Sequence, residues 1–234
     1  MKVLSLSTAE QGASLAVFDG ASLICEEYWV SRLTHSRRLV SMVDGVVRNR
    51  AGFDLESVDA FIAAKGPGSF TGLRIGISVV KGLAYALSKP CAGVSSLDGI
   101  AWRFCHSQLP VCAMMDARRG EVYSAIFRFS QGRLVEKTPE TVCPPDKVVA
   151  YAGKAPVLYA GSGSKAYQDL ISHDSGQSAL FSCPDMDYVS ASALARQIIS
   201  HDSFFDRDRF ELVPSYIRRS DAEIHFGKSA SVLT

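Results

Sequence analysis

No stretch of this 234-residue chain approaches the roughly 18 consecutive apolar residues of a membrane span, which excludes a helical membrane protein. The opening residues, Met1-Lys2-Val3-Leu4-Ser5-Leu6-Ser7, lack an apolar leader core with a small-residue cleavage site, so a signal peptide is not expected and a cytoplasmic location is. No CxxC pair occurs among the 6 cysteines Cys25, Cys91, Cys105, Cys112, Cys143 and Cys183. They read as reduced packing residues, which argues against disulfides and against a cysteine zinc site. An excess of charge of one sign is missing too. With a net charge of +1 the chain is far less basic than a protein that grips RNA unaided, so any RNA would be held mostly by a partner. What remains is ordinary: 47% hydrophobic and 21% charged residues place the chain among globular proteins, one large domain or two small ones.

Val3–Thr8, Ser14–Phe18 and Ser22–Val30 read as strands, the last two joined at the hairpin signal Asp19-Gly20. Ser36–Arg50 has helical spacing with an apolar stripe, Val58–Ala64 is a strand, and Thr71–Ser88 is a helix stopped at Lys89-Pro90. Cys91–Ser95 and Ser96–Cys105 add a strand and a helix. The second half repeats the plan: Val111–Met115, Glu121–Phe129 and Arg133–Val142 as strands, a short helix near Asp146–Tyr151, Val157–Ala160 as a strand, then a helix near Lys165–Ile171. Ser172–Ser182 reads as loop, and Ser190–Ser200 as a helix capped by Ser190. This α/β order matches a duplicated ribonuclease-H-like unit, the two-lobed ββαβα plan of actin, sugar kinases and chaperone ATPases (the ASKHA fold). Residues 1–105 would form the first lobe, 106–218 the second, and 219–234 a tail returning to the first.

The most unusual segment is Lys65-Gly66-Pro67-Gly68-Ser69-Phe70-Thr71-Gly72-Leu73-Arg74-Ile75-Gly76, between a strand and a helix. It is no Walker loop, since Leu73-Arg74 follows Gly72 where Lys-Ser/Thr is required, and its glycine spacing does not match a dinucleotide fingerprint. Two readings of the residues stay open: an anion site at a helix N-terminus, or a turn whose glycines allow close packing. The segment resembles, nearly letter for letter, the GPGSFTGLRIG signature of the TsaB (YeaZ) family. His35-Ser36-Arg37-Arg38-Leu39 is similar to that family's His-Ser-x-x-Leu helix start, and Gly93-Val94-Ser95-Ser96-Leu97 to its GVSSL. Asp116-Ala117-Arg118-Arg119-Gly120-Glu121-Val122-Tyr123 is similar to DARxGEVY, and Pro214-Ser215-Tyr216-Ile217-Arg218 to the P-x-YLR tail.

The resemblance implies a noncatalytic subunit that binds and activates TsaD, which transfers a threonylcarbamoyl group to the adenosine beside the anticodon of tRNA. It implies TsaE as a third component reached through the complex, tRNA contacted only through the complex, a homodimer when the chain is alone, and ATP or ADP at the TsaD interface. It implies partner binding by two first-lobe helices, through His35, Leu39, Met42, Val46, Thr71, Gly72, Ile75, Gly76, Val79 and Leu83, beside the signature loop Gly66, Pro67, Gly68, Ser69 and Phe70.

The residues themselves give further expectations. On the helix after the loop, the apolar arc exceeds the roughly 100° stripe that one sheet can cover, so another surface should cover the surplus. Arg74, Asp116 and Arg118 are candidate nucleotide or anion contacts. Intrinsic catalysis is not expected. Ser7 stands where actin-like ATPases keep an acidic residue, Arg118 and Arg119 crowd the second turn, and Leu39 stands where an HxxxH metal pair would need its second histidine. The alternatives are an actin-like ATP-binding kinase and a glycoprotease-type peptidase; the peptidase would lack a Gly-x-Ser-x-Gly elbow.

Overall fold

The computed structural model describes residues 1–30, 39–199 and 212–218. The first sheet contains β1 (Lys2–Ser7), β2 (Gly12–Asp19), β3 (Ser22–Val30), β4 (Ala60–Gly66) and β5 (Cys91–Ser95) in the order β3-β2-β1-β4-β5. β1 and β4 pair in parallel and are buried nearly end to end, so their apolar runs serve both faces of the sheet. β2 and β3 form the hairpin expected at Asp19-Gly20, where Gly20 takes a left-handed φ of 57°. The second sheet contains β6 (Val111–Asp116), β7 (Val122–Ser130), β8 (Arg133–Lys137), β10 (Val157–Ala160) and β11 (Ala179–Phe181), with β9 (Thr141–Cys143) paired to β7. Read from the other edge its order is β8-β7-β6-β10-β11, the first sheet's order repeated.

Helices fill the crossovers. α1 (Leu39–Val46) runs into a π-helical turn at Val47–Ala51 that ends at left-handed Gly52. Residues 36–38, the start expected for this helix, lie outside the described residues. α2 (Phe70–Ala86) starts at Ser69, whose Oγ accepts the Gly72 N–H at 3.2 Å. It ends in a Schellman motif: Ser88 is left-handed and the Lys89 N–H reaches the Ala84 carbonyl at 2.8 Å, just before Pro90. α3 (Ser96–Ala101) follows β5; α4 (Pro145–Ala152), α5 (Ser162–Ala166), α6 (Gln168–Ser175) and α7 (Ala191–Ile199) belong to the second half.

Two expectations change. The single strand over residues 133–142 is two strands, because Pro139 cannot donate to a ladder; Thr138 substitutes locally, its N–H donating to the Ile126 carbonyl and its Oγ1 accepting the Ile126 N–H. The loop expected over residues 172–182 instead holds the end of α6 and β11, whose three residues add a parallel edge to β10.

The halves interlock. α3, from the first half, packs on β6, while α7, from the end of the second half, packs on β1, β2 and β4 and against α3. Glu26 on β3 fixes α7 there: its carboxylate accepts the Ser190 hydroxyl at 2.7 Å, the Ser192 hydroxyl at 2.7 Å and the Ser192 N–H at 3.1 Å, an anion at a helix N-terminus. Ser190 caps α7 as expected, accepting the Ala193 N–H at 3.1 Å. One apolar core therefore runs from Val3 and Leu4 through Leu97 and Leu194 to Phe127 and Ala160, crossing both halves. A smaller core around Met114, Val122, Val149 and Tyr159 lies under α4 and α6.

Candidate partner face and interlobe groove

The signature loop packs against the turn between β1 and β2. The Ser69 N–H donates to the Ala9 carbonyl at 2.7 Å, and the Thr8 hydroxyl donates to the Gly72 carbonyl at 2.7 Å. A Cβ on Gly72 would run into the Thr8 carbonyl, and one on Gly76 into the Thr8 hydroxyl. Gly66 and Gly68, with φ of 120° and 155°, lie against the Ser215 and Ala9 carbonyls. Of the two readings open from the residues, close packing describes this loop: its glycines let backbone meet backbone, and the Gly72 amide at the helix start is held by Ser69.

The β1–β2 turn also reaches the second half. The Glu10 carboxylate accepts the Ser162 hydroxyl at 2.5 Å and the Val189 N–H at 3.1 Å, and Ser162 Oγ in turn accepts the Asp116 N–H at 3.3 Å. Desolvation pushes the Glu10 carboxyl above the ordinary carboxylate range, its two hydrogen bonds pull the other way, and the charge of Asp187 adds to the rise. In an actin-like ATPase the space between these turns takes phosphate and magnesium. Here a carboxylate holds the donors that a phosphate would need, so the residues do not fit that group.

The equivalent turn of the second half, between β6 and β7, is built differently. Arg118 and Arg119 both adopt left-handed φ, 62° and 59°, ahead of Gly120 at 76°. Asp116 accepts the Arg118 N–H at 2.8 Å and so serves the turn; its negative charge suits it to that role and unsuits it to direct contact with an anion. Residues 212–218 cross from this turn to the first sheet. The Ser215 N–H donates to the Lys65 carbonyl at 2.7 Å, Tyr216 stacks on Phe70 with ring centres 5.0 Å apart, and Arg74 covers the Phe70 ring at 3.8 Å while donating to the Tyr216 hydroxyl at 3.2 Å. Arg218 donates to the Ala117 carbonyl at 2.8 Å and pairs with Glu121.

Two cavities flank Ser215. One, of about 280 Å³, is lined by Phe70, Arg118, Arg119, Tyr123, Tyr216 and Arg218. The other, of about 370 Å³, holds a buried ion cluster in which Lys137 Nζ meets Asp98 at 2.9 Å and Glu140 at 2.8 Å. Burial raises the Asp98 carboxyl against the pull of Lys137. Burial also lowers Lys137, but Asp98 and Glu140 outweigh it and leave the ammonium above its usual range.

The residues assigned to partner binding fall into two sets. Leu39 and Val46 on α1 and Gly76 on α2 are buried in the chain's own core and do not lie on its surface. Gly72 is likewise taken up by Thr8. Ile75, Val79 and Leu83 lie one turn apart along α2, each half-buried, with Met42 half-buried on α1 and Thr71 exposed. Beside them Gly82 has open space around it and Tyr85 is 81% exposed. His35 lies outside the described residues. Sequence reasoning missed Glu10, whose partners are more than 150 residues away, and under-read Tyr216, for which the tail motif was the available signal.

All 6 cysteines are free, Cys91 and Cys112 buried, and burial raises both thiols. No described helix is long and apolar enough to cross a membrane.

The repeated strand order with helices in its crossovers defines a duplicated ribonuclease-H-like, actin-like protein of two lobes. Comparison narrows the class. A family model described as TsaD: tRNA N6-adenosine threonylcarbamoyltransferase matches residues 30–226. The tRNA threonylcarbamoyladenosine biosynthesis protein TsaB of Escherichia coli K12 is 34% identical over 178 residues, 73% of this chain and 75% of that protein. Its counterpart in Bacillus subtilis 168 is 28% identical over 230 residues, 95% of this chain and 96% of that protein. YeaZ from Pseudomonas aeruginosa superposes with a TM-score of 0.75 at 30% identity, covering 92% of this chain and 99% of that one. The chain belongs to the TsaB (YeaZ) family. The ethanolamine utilization protein EutJ from Carboxydothermus hydrogenoformans, at 10% identity and a TM-score of 0.50, shares the fold.

Proposed function

We propose that this chain is a subunit of the machinery that makes threonylcarbamoyladenosine in tRNA, and that it works by binding and activating TsaD without catalysing a step itself. The observation that carries the reading is the ridge of Ile75, Val79 and Leu83 on α2, apolar and only half covered by its own molecule. Spaced four residues apart, these side chains line one face, the pattern by which a second helix packs ridge into groove. Met42 extends the ridge, and open Gly82 gives a partner backbone room. The same face serves a second copy of the chain when TsaD is missing, so that homodimer and heterodimer compete for it. TsaE joins through the assembled pair, in the cytoplasm, and ATP or ADP belongs at the TsaD interface. Two observations support a noncatalytic role: the Glu10 carboxylate stands between the turns, and two arginines crowd the second turn.

Reconstitution tests the proposal. Threonylcarbamoyl transfer to tRNA by TsaD and TsaE is expected to depend on this chain, while the chain alone neither hydrolyses ATP nor cuts peptides. Full transfer without it, or turnover by it alone, overturns the reading.

A further inference from the structure

The groove beside Ser215 joins charge to flat rings. Arg74, Arg118, Arg119 and Arg218 surround it or stack behind its wall, while Asp116 and Glu121 are the acidic groups facing them. Among the described residues cations outnumber carboxylates there, although the whole chain is nearly neutral. Both arginines of the turn are held left-handed, a conformation costly for a side chain with a Cβ and easily avoided by glycine or asparagine. Such strain gathers where a side chain is needed in one place. Tyr216 is 41% exposed at the groove, its ring stacked on Phe70 and its hydroxyl held by Arg74, so a braced aromatic ring offers surface to another flat ring.

We infer that this groove takes a nucleotide unit of single-stranded RNA, a phosphate against Arg118 and Arg218 and a base against Tyr216. Guanidinium groups match phosphate oxygens in a fork, and aromatic rings take unstacked bases of any sequence. The groove is shallow: the Arg118 side chain is 72% exposed. A pocket for a free small molecule buries about 70–90% of its ligand. A site this open suits one unit of a longer chain whose other units are held elsewhere, which favours RNA over free nucleotide. The inference takes its choice of RNA from the proposed tRNA role; the groove's chemistry stands without it. It gives this chain a direct contact with RNA, where the family resemblance implied contact only through the complex.

The test titrates the full chain with a short single-stranded oligoribonucleotide, an abasic oligomer of equal length, and ATP, at several salt concentrations. The oligoribonucleotide is expected to bind best, with affinity falling as salt rises by a slope of roughly 0.7 per phosphate contacted. Arg118→Ala should weaken both oligomers about tenfold and reduce that slope, since it removes one charged contact. Tyr216→Ala should weaken the base-bearing oligomer about tenfold and leave the abasic one unchanged. Arg128→Ala, at an exposed ion pair with Glu136 on the second sheet, should change nothing. Melting curves confirm that each variant is folded. The inference falls if no oligomer binds, if ATP binds as tightly as RNA, or if Arg128→Ala weakens binding as much as Arg118→Ala. Loss of RNA binding by Arg118→Ala with TsaD association intact separates this site from the partner face.

Discussion

The two halves share a strand order, yet the turns at the tips of their first hairpins are put to different uses. The β1–β2 turn faces inward: Ser7, Thr8 and Ala9 are buried under the signature loop, and Glu10 reaches across to Ser162 and Val189. The β6–β7 turn faces outward, with Arg118 and Arg119 exposed in left-handed backbone above a groove. In an actin-like ATPase both turns would wrap phosphate. In this chain one has become a clasp that closes the molecule on itself, and the other a basic surface. The difference teaches that the matching turns of a duplicated scaffold can be put to unlike uses: packing takes up one, and the other faces solvent.

The sharpest way to break the comparison is to force the buried turn apart. Gly72→Val places a branched side chain against the Thr8 carbonyl, backbone that cannot swing away, and should cost about 3 kcal/mol in denaturant unfolding. Gly120→Ala, at φ 76° with nothing within 4 Å, should cost only about 1 kcal/mol, the strain of a left-handed residue in open space. Equal costs would mean that the two turns are equally packed.

Next in size is the clasp. Glu10→Ala removes the acceptor of both the Ser162 hydroxyl and the Val189 N–H and should cost about 2 kcal/mol. Asp116→Ala, which frees one N–H of an exposed turn, should cost about 1 kcal/mol or less. Glu10 also carries a pH signature. Burial holds its carboxyl above the ordinary carboxylate range, so over that interval the native state binds more protons than the unfolded chain. Its contribution is fully present below the unfolded pKa and is lost as pH rises through the native one. Wild-type stability should therefore fall, relative to Glu10→Gln, as pH rises above the ordinary carboxylate range. Parallel pH profiles for the two proteins would remove the desolvated carboxyl from the account.

The smallest effect has the opposite sign. Arg118→Gly relieves a left-handed backbone and should raise stability by about 0.5 kcal/mol, after the added entropy of glycine in the unfolded chain is set against it. A loss of stability would show that the arginine serves the fold and not a ligand.

Much of this molecule was legible in its sequence, because local chemistry decides where most elements begin and end. Asp19-Gly20 marked the first hairpin, the glycine-rich segment marked the entry to α2, Lys89-Pro90 its exit, and Ser190 the cap of α7. The break between β8 and β9 was written at Pro139 but overridden by the apolar pattern on either side. β11 was missed because three residues carry no period; only a free edge on β10 makes them a strand. On α2 the apolar surplus was legible, but the wheel could not separate Gly76, filled by Thr8, from Val79, left half open. The clasp was invisible for a different reason: Glu10 meets Ser162 and Val189 only after the halves have docked, and no local pattern encodes that meeting.

Co-elution with TsaD tests the central claim most directly, using wild type and Val79→Glu. A charge placed on the half-buried ridge can reach water in the free chain but would be trapped in a helix–helix contact, so the variant should melt like wild type and fail to elute with TsaD. A folded Val79→Glu protein that still forms the complex would contradict the account.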